Sequence, residues 1–228
     1  LPTGQSLCLS LPYEPPRLVV EEVRWIYYSP TEVLAVLRVG NPGHATYSSD
    51  VYCANCGPPR DDQMAVLRSL AHGALPLAQR VELRPLFHAV FAVRVAASGG
   101  ALVLLANNSE YRLAPPPLPP VKYRYNVSLM LGSPPGFAAH DWAVTRYAEV
   151  HIWFDRPDVV YSNFVRAYAG NATAPVACAG QVCAAYIPLE IAPRGPYARP
   201  PGGWLLVNGT ARPVSAYVAT PWGVIRVA

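Results

Sequence analysis

Proline and glycine interrupt this chain so often that long helices are excluded. Its 228 residues include 26 prolines and 16 glycines, and both residue types disfavour helix interiors. Between these breaks, apolar and polar residues alternate. Every second residue from Ala148 to Phe154 is apolar, with Glu149 and His151 between them. A period of two is typical of a half-buried β-strand. The sequence therefore predicts an all-β protein.

Ten further apolar or alternating runs also predict strands. Turn signals such as Asn41-Pro42-Gly43 separate them. Many short strands at this spacing favour one or two β-sandwiches of the immunoglobulin-like or jelly-roll type. The predicted strands cover residues 17–27, 33–39, 87–96, 101–106, 123–131, 159–168, 184–191, 204–207, 214–219 and 223–227.

One segment has helical spacing instead. Apolar residues recur at intervals of three from Met64 to Leu70, and either Asp61 or Asp62 can cap the start. Gly73 follows as a stop signal. We expect one short helix over about residues 61–73, connecting two strands.

A proline-rich stretch divides the chain. Five of the eight residues at 113–120 are proline, a composition that favours a stiff polyproline spacer. This predicts one β-domain over 17–112 and a second over 121–228, with 1–16 as an N-terminal extension. The alternative is a stiff loop inside a single large sandwich.

The N-terminal extension contains a strand of its own. Leu7, Leu9 and Leu11 alternate with Cys8 and Ser10, and a proline-rich tether follows at 12–16. This strand can fold back as an edge strand of its own molecule. It can also add to the sheet of a neighbouring subunit, because strand addition needs only main-chain hydrogen bonds and pockets for alternate side chains.

The asparagines indicate an exported protein. Four of the eight asparagines open an N-x-S/T triplet, the acceptor motif for N-linked glycans. These triplets lie near predicted strand ends or loops, where a glycan reaches solvent. The predicted N-glycosylation sites are Asn107, Asn126, Asn171 and Asn208.

The five cysteines fit the same compartment. Cys53 with Cys56, and Cys178 with Cys183, form two close pairs and leave Cys8 over. In an oxidising compartment such pairs predict two local disulfides, although fifteen connectivities with two bridges are open. A four-cysteine zinc site is an alternative. A thioredoxin-like site is disfavoured, because glycine and two prolines follow the first pair and prevent a helix there.

Other function classes find little support. The net charge is +4 with no basic run, so we expect no nucleic-acid partner. No apolar run approaches 18 residues, so we expect no membrane-spanning helix. The histidines are scattered and no catalytic motif occurs. Asp155 and Asp158 flank Arg156, which favours a surface turn over a calcium site. We expect no enzyme activity, cofactor or metal.

Together, the leucine strand on its proline-rich tether and the four glycosylation triplets resemble the subunits of archaeal donor-strand filaments. These include bundling pili and thread filaments of hyperthermophile cell surfaces. The predicted strand that ends in Asn41-Pro42-Gly43 is similar in its sequence pattern to archaeal secreted β-domains. In such filaments each subunit receives the N-terminal strand of the next. The resemblance implies a head-to-tail homopolymer that functions in adhesion or biofilm formation.

The same resemblance implies roles for individual residues. Leu7, Leu9 and Leu11 would insert into the acceptor subunit, while Cys8 would face outward and bond covalently to it. A second resemblance competes. Secreted, glycosylated β-sandwich proteins of GC-rich large DNA viruses, which bind host immune ligands, also combine high arginine content with glycosylation triplets and disulfides. The alternative function is therefore a secreted binding protein, viral or on a cell surface.

Overall fold

Strands dominate the part of the chain that the structure describes. The structure is a computed structural model, and it describes residues 12–98, 101–107, 109–117, 122–126, 147–169, 172–188, 203–208, 213–220 and 223–226. These residues contain eighteen strands and one α-helix. The predicted all-β fold is therefore confirmed.

The described residues form two compact units. Unit 1 contains the residues up to Trp25 together with Leu34–Pro115, and unit 2 contains Ile26–Val33 with the residues from Pro116 onward. The elements that lie wholly or mostly in unit 1 are β1 (Val19–Tyr27), β2 (Glu32–Gly40), β3 (Tyr47–Ala54), β4 (Cys56–Gly57), α1 (Asp61–Leu70), β5 (Leu75–Pro76), β6 (Arg80–Leu83), β7 (His88–Ala96), β8 (Leu102–Ala106) and β9 (Ser109–Leu113).

Unit 1 has two sheets that share one apolar core. One sheet has the order β1-β2-β7-β4, with β5 also pairing with β7, and the other has the order β6-β3-β8-β9. Alternate residues of both sheets enter the same buried cluster, for example Leu37 and Val93 from the first and Val51 and Leu104 from the second. Residues from both sheets therefore contribute to one buried cluster.

The helix prediction is confirmed with corrected ends. Helix α1 stops at Leu70, and Gly73 follows in the left-handed conformation with φ 79°. The N-cap is Arg60 and not either predicted aspartate. The Gln63 side chain accepts a hydrogen bond from the Arg60 N–H at 2.9 Å, which satisfies a donor at the cap. The two aspartates occupy the first turn, where negative charge is favourable.

The described strands of unit 2 are β10 (Lys122–Asn126), β11 (Tyr147–Phe154), β12 (Val165–Ala169), β13 (Ala172–Ala174), β14 (Val176–Ala179), β15 (Val182–Pro188), β16 (Gly203–Asn208), β17 (Pro213–Thr220) and β18 (Gly223–Arg226). They form two sheets, with the orders β10-β16-β12-β13 and β14-β15-β11-β17-β18. In β11, Val150, Ile152 and Phe154 are buried whereas Trp153 is partly exposed, as the alternation predicts.

One predicted strand needs correction, and several strands were missed. Residues 159–168 do not form a single strand, because a 3-10 turn at Tyr161–Asn163 precedes β12. Strands β3, β6, β9, β13 and β14 were not predicted, whereas β15 overlaps the strand predicted over 184–191. In β3 and β6 the apolar residues are few, and only alternate positions such as Tyr47, Val51 and Val81 are buried.

Candidate functional site

A single buried asparagine connects the N-terminal tether to two turns of unit 1. The side chain of Asn41 is 1% exposed. Its carbonyl oxygen accepts hydrogen bonds from the backbone N–H groups of Arg17 at 3.2 Å and Gly43 at 3.0 Å. Its amide nitrogen donates to the carbonyl oxygens of Ala45 at 2.8 Å and Leu83 at 3.1 Å. A buried amide with its donors and acceptors satisfied fixes all the segments that it contacts.

The turn that follows Asn41 also contacts the tether, through two hydrogen bonds between His44 and Glu14. The His44 N–H donates to the Glu14 carbonyl at 3.0 Å, and the Glu14 N–H donates to His44 Nδ1 at 3.3 Å. The fit is close at Gly43, where an added Cβ would lie 2.4 Å from the Pro15 carbonyl oxygen and 2.6 Å from Pro16 Cα. We call Asn41–His44, with the tether residues that it contacts, the N-terminal clamp.

Exposed apolar side chains surround the N-terminal clamp. Tyr13 is 68% exposed, and its ring lies edge-on to His44 with centroids 6.3 Å apart. On the other flank, Leu86 and Phe87 are exposed on a turn whose Leu86 N–H donates to the Asn41 carbonyl at 2.8 Å. Leu86 has φ 61°, an uncommon conformation for a leucine. This end of unit 1 therefore carries apolar surface beside the start of the described chain.

The candidate donor-strand residues lie outside the described residues. These are Leu7, Cys8, Leu9 and Leu11. The described residues begin at Pro12, directly after Leu11. Glu14, which makes the first hydrogen bond of the N-terminal clamp, lies two residues further along the chain.

A second feature of unit 1 is a depression where β3 changes its pairing partner. The first half of β3, Tyr47–Asp50, pairs with β6, and residues 51–54 pair with β8. Strand β8 ends at Ala106, opposite Val51, so Ser49 and Asp50 lie past its end. An open depression of about 790 Å³ lies at this step.

The depression combines apolar surface with carboxylates. Tyr52 and Leu105 are register partners on β3 and β8, and they are 64% and 39% exposed. The acidic residues Asp50 and Glu110 belong to the same lining, and Glu110 forms an ion pair with Arg112. Asn107 also lines it and has φ 49°. Asn107 opens the two-residue connection from β8 to β9, a type of hairpin that requires positive φ and favours asparagine.

The other glycosylation triplets are in unit 2. Asn126 and Asn208 are the last residues of β10 and β16. These strands are antiparallel, with Asn126 opposite Trp204 and Asn208 opposite Lys122, so the two asparagines lie at opposite ends of the pair. Asn171 lies outside the described residues.

Four of the five cysteines form two disulfides. Cys53 is bonded to Cys56 with Cα atoms 5.9 Å apart, and Cys178 to Cys183 with Cα atoms 4.1 Å apart. The first bond joins β3 of one unit 1 sheet to β4 of the other. The second joins register partners of the β14–β15 hairpin. Such short loops fix local geometry more than they reduce the entropy of the unfolded chain.

The Asp155–Asp158 turn is occupied by an ion pair. Arg156 donates from Nε to Asp158 Oδ1 at 3.0 Å and from a terminal nitrogen to Oδ2 at 2.5 Å. The guanidinium lies 4.9 Å from the ring centroid of Tyr27. The hydrogen bond to Asp158 raises the pKa of Arg156 further above its usual value. In the described ranges no three His, Cys, Asp or Glu side chains come together as a metal site.

The described helix is too short to cross a membrane. Comparisons with known protein families, with curated proteins and with solved structures found no match.

Proposed function

We propose that the protein is a non-enzymatic, extracellular filament subunit that polymerises by donating residues 7–11 to a neighbouring copy. Leu7, Leu9 and Leu11 would be buried in the acceptor. Each fully buried leucine contributes about 1.5–3 kcal/mol before ordering costs. Backbone pairing with the acceptor edge adds about 0.5–1.5 kcal/mol per hydrogen bond. Because donor and acceptor surfaces differ, repetition gives an open, head-to-tail polymer.

The observation that carries this proposal is the N-terminal clamp. A donated strand transmits force between subunits only if its root is fixed to the body of the donor. His44 holds the tether at Glu14, and Asn41 holds Arg17, the residue directly after the tether. These contacts lie three and six residues after the last leucine of the strand. The exposed side chains beside the clamp offer apolar surface for contact with the acceptor.

Export, glycosylation and a sandwich fold belong to the same proposal. Two disulfides support an oxidising compartment. The exposed position of Asn107 supports a glycan acceptor there. In unit 1, β1, β2 and β7 pair in one sheet and β3, β8 and β9 in the other, an order that supports an immunoglobulin-like sandwich.

The second candidate function is a secreted binding protein. The depression at Tyr52 favours it, because an exposed aromatic ring beside carboxylates is a common arrangement in ligand sites. A binding protein would not need the leucine strand. The two candidate functions therefore differ in whether residues 1–11 are required.

Deletion of residues 1–11 tests the proposal. The shortened chain should keep its melting temperature and its β-sheet circular dichroism but form no filaments in negative-stain electron microscopy. The single variants Leu9→Asp and Ser10→Asp provide a matched pair, since they lie on opposite faces of the strand. Filaments should be lost in the first and kept in the second. A full-length protein that stays monomeric would overturn the proposal.

A further inference from the structure

We propose that a glycan on Asn107 folds back over Tyr52 and Leu105 and covers the depression of unit 1. This inference rests on the part of the proposed function that makes the protein exported and N-glycosylated. It assigns the depression to a carbohydrate of the same chain and not to a soluble ligand.

The attachment point carries the argument. Asn107 lines the depression itself, so the first sugar would be linked at its rim. Asn107 directly follows Ala106, which pairs with Ser109 as the last register pair of the hairpin. Its attachment point therefore stays close to the depression, whereas a glycan on a long flexible loop would start from many positions.

The lining has the chemistry that carbohydrates bind. Sugar rings present C–H groups that pack on aromatic faces, and Tyr52 exposes its ring beside the apolar Leu105. Sugar hydroxyls donate hydrogen bonds to carboxylates, and Asp50 and Glu110 both line the depression, although one oxygen of Glu110 already accepts a hydrogen bond from Arg112. The volume of about 790 Å³ lies in the range of roughly 300–1,000 Å³ that is typical of ligand sites.

The glycan would also cover two apolar side chains, Tyr52 and Leu105, whose exposure to solvent is unfavourable. Tyr52 is 64% exposed on a strand whose sheet packs its other face into the core. Apolar side chains exposed together on a sheet promote unwanted association. A covalently attached glycan has a high effective concentration at the depression, which favours contact with this pair over dissociation into solvent.

The test uses the full-length chain produced in a host that performs N-glycosylation. Ser109→Ala removes the acceptor triplet and leaves Asn107 in its turn, while Ser109→Thr keeps the triplet and serves as the matched control. Nitration by tetranitromethane, followed by peptide mass spectrometry, measures the accessibility of Tyr52. The similarly exposed Tyr13 is the internal reference.

We expect Asn107 to be occupied and the Tyr52 nitration rate to rise at least threefold in Ser109→Ala, with Tyr13 unchanged. Ser109→Thr should behave like the natural protein. Equal Tyr52 rates in Ser109→Ala and Ser109→Thr, or an unoccupied Asn107, would overturn the inference. Filament formation, recorded by microscopy on the same samples, reports on the proposed function separately, since Ser109→Ala leaves the N-terminal strand intact.

Discussion

The side chain of Asn41 accepts a hydrogen bond from the backbone N–H of Arg17 at 3.2 Å, which ties the N-terminal tether to the end of β2. The same amide reaches the Leu83 carbonyl at the end of β6. Asn41 therefore couples the position of the tether to the packing of both unit 1 sheets.

Asn41→Ala should lower the free energy of unfolding by about 2–3 kcal/mol, because it leaves buried backbone groups without their partners. Chemical denaturation followed by circular dichroism measures the change. Ser48→Ala is the control. It removes two exposed hydrogen bonds, one donated to Glu82 and one accepted from Arg80, and should cost less than about 0.5 kcal/mol. Equal losses in the two variants would contradict the structural role of Asn41.

Gly43→Ala should loosen the tether while unit 1 stays folded. The added Cβ would collide with backbone atoms of Pro15 and Pro16, which cannot move away as a flexible side chain would. Limited trypsin digestion after Arg17 should become several-fold faster. Gly180→Ala is the control, because a Cβ there meets nothing within 4 Å, although its positive φ costs about 1 kcal/mol. Unchanged cleavage after Arg17 would contradict the clamp.

Stability should fall at alkaline pH because of buried tyrosines. Burial raises the pKa values of Tyr27, Tyr47 and Tyr161 above 10. Above pH 10 these groups ionise first in the unfolded chain, so their stabilisation is complete below pH 10 and is lost as the pH rises above it. The loss is at most about 1.4 kcal/mol per pH unit for each tyrosine.

Tyr161→Phe tests this dependence, because it keeps the ring that stacks on Phe154 with centroids 3.9 Å apart. Unfolding measured between pH 8 and 12 should show a shallower alkaline slope in the variant. The same slope in the variant and the natural protein would rule out a contribution from Tyr161.

The two disulfides leave one cysteine of the chain with a free thiol. With Cys53–Cys56 and Cys178–Cys183 bonded, the denatured, unreduced monomer should react with one equivalent of Ellman's reagent, at Cys8. Peptide mapping without reduction should give the same two bonds. Three free thiols, or a bond from Cys8 to any of the other four cysteines of its own chain, would contradict this pairing.

The sequence predicted the elements whose signal is local. Strand β11 and helix α1 each carry their own apolar period, and both were found. Strand β3 was missed because its inward positions include the small polar Ser49, while the large Tyr52 points outward. Its pattern is interpretable only once the partners β6 and β8 are known.

The candidate site was less predictable for the same reason. Asn41-Pro42-Gly43 was correctly predicted as a turn, but nothing in the triplet indicates that the asparagine is buried. Its partners Arg17 and Leu83 are 24 and 42 residues away. The depression likewise depends on where β8 ends relative to β3, which is a matter of register between strands far apart in the chain.

Strand donation is tested most directly by finding the chain that residues 7–11 contact. Subunits carrying a photoreactive leucine analogue at position 9 would be prepared with ¹⁴N and with ¹⁵N, mixed, assembled and irradiated. Mass spectrometry of the crosslinked peptides then identifies both partners. The account predicts crosslinks of mixed label, from one subunit to another. Crosslinks only within the same label, to residues of the same chain, would contradict it.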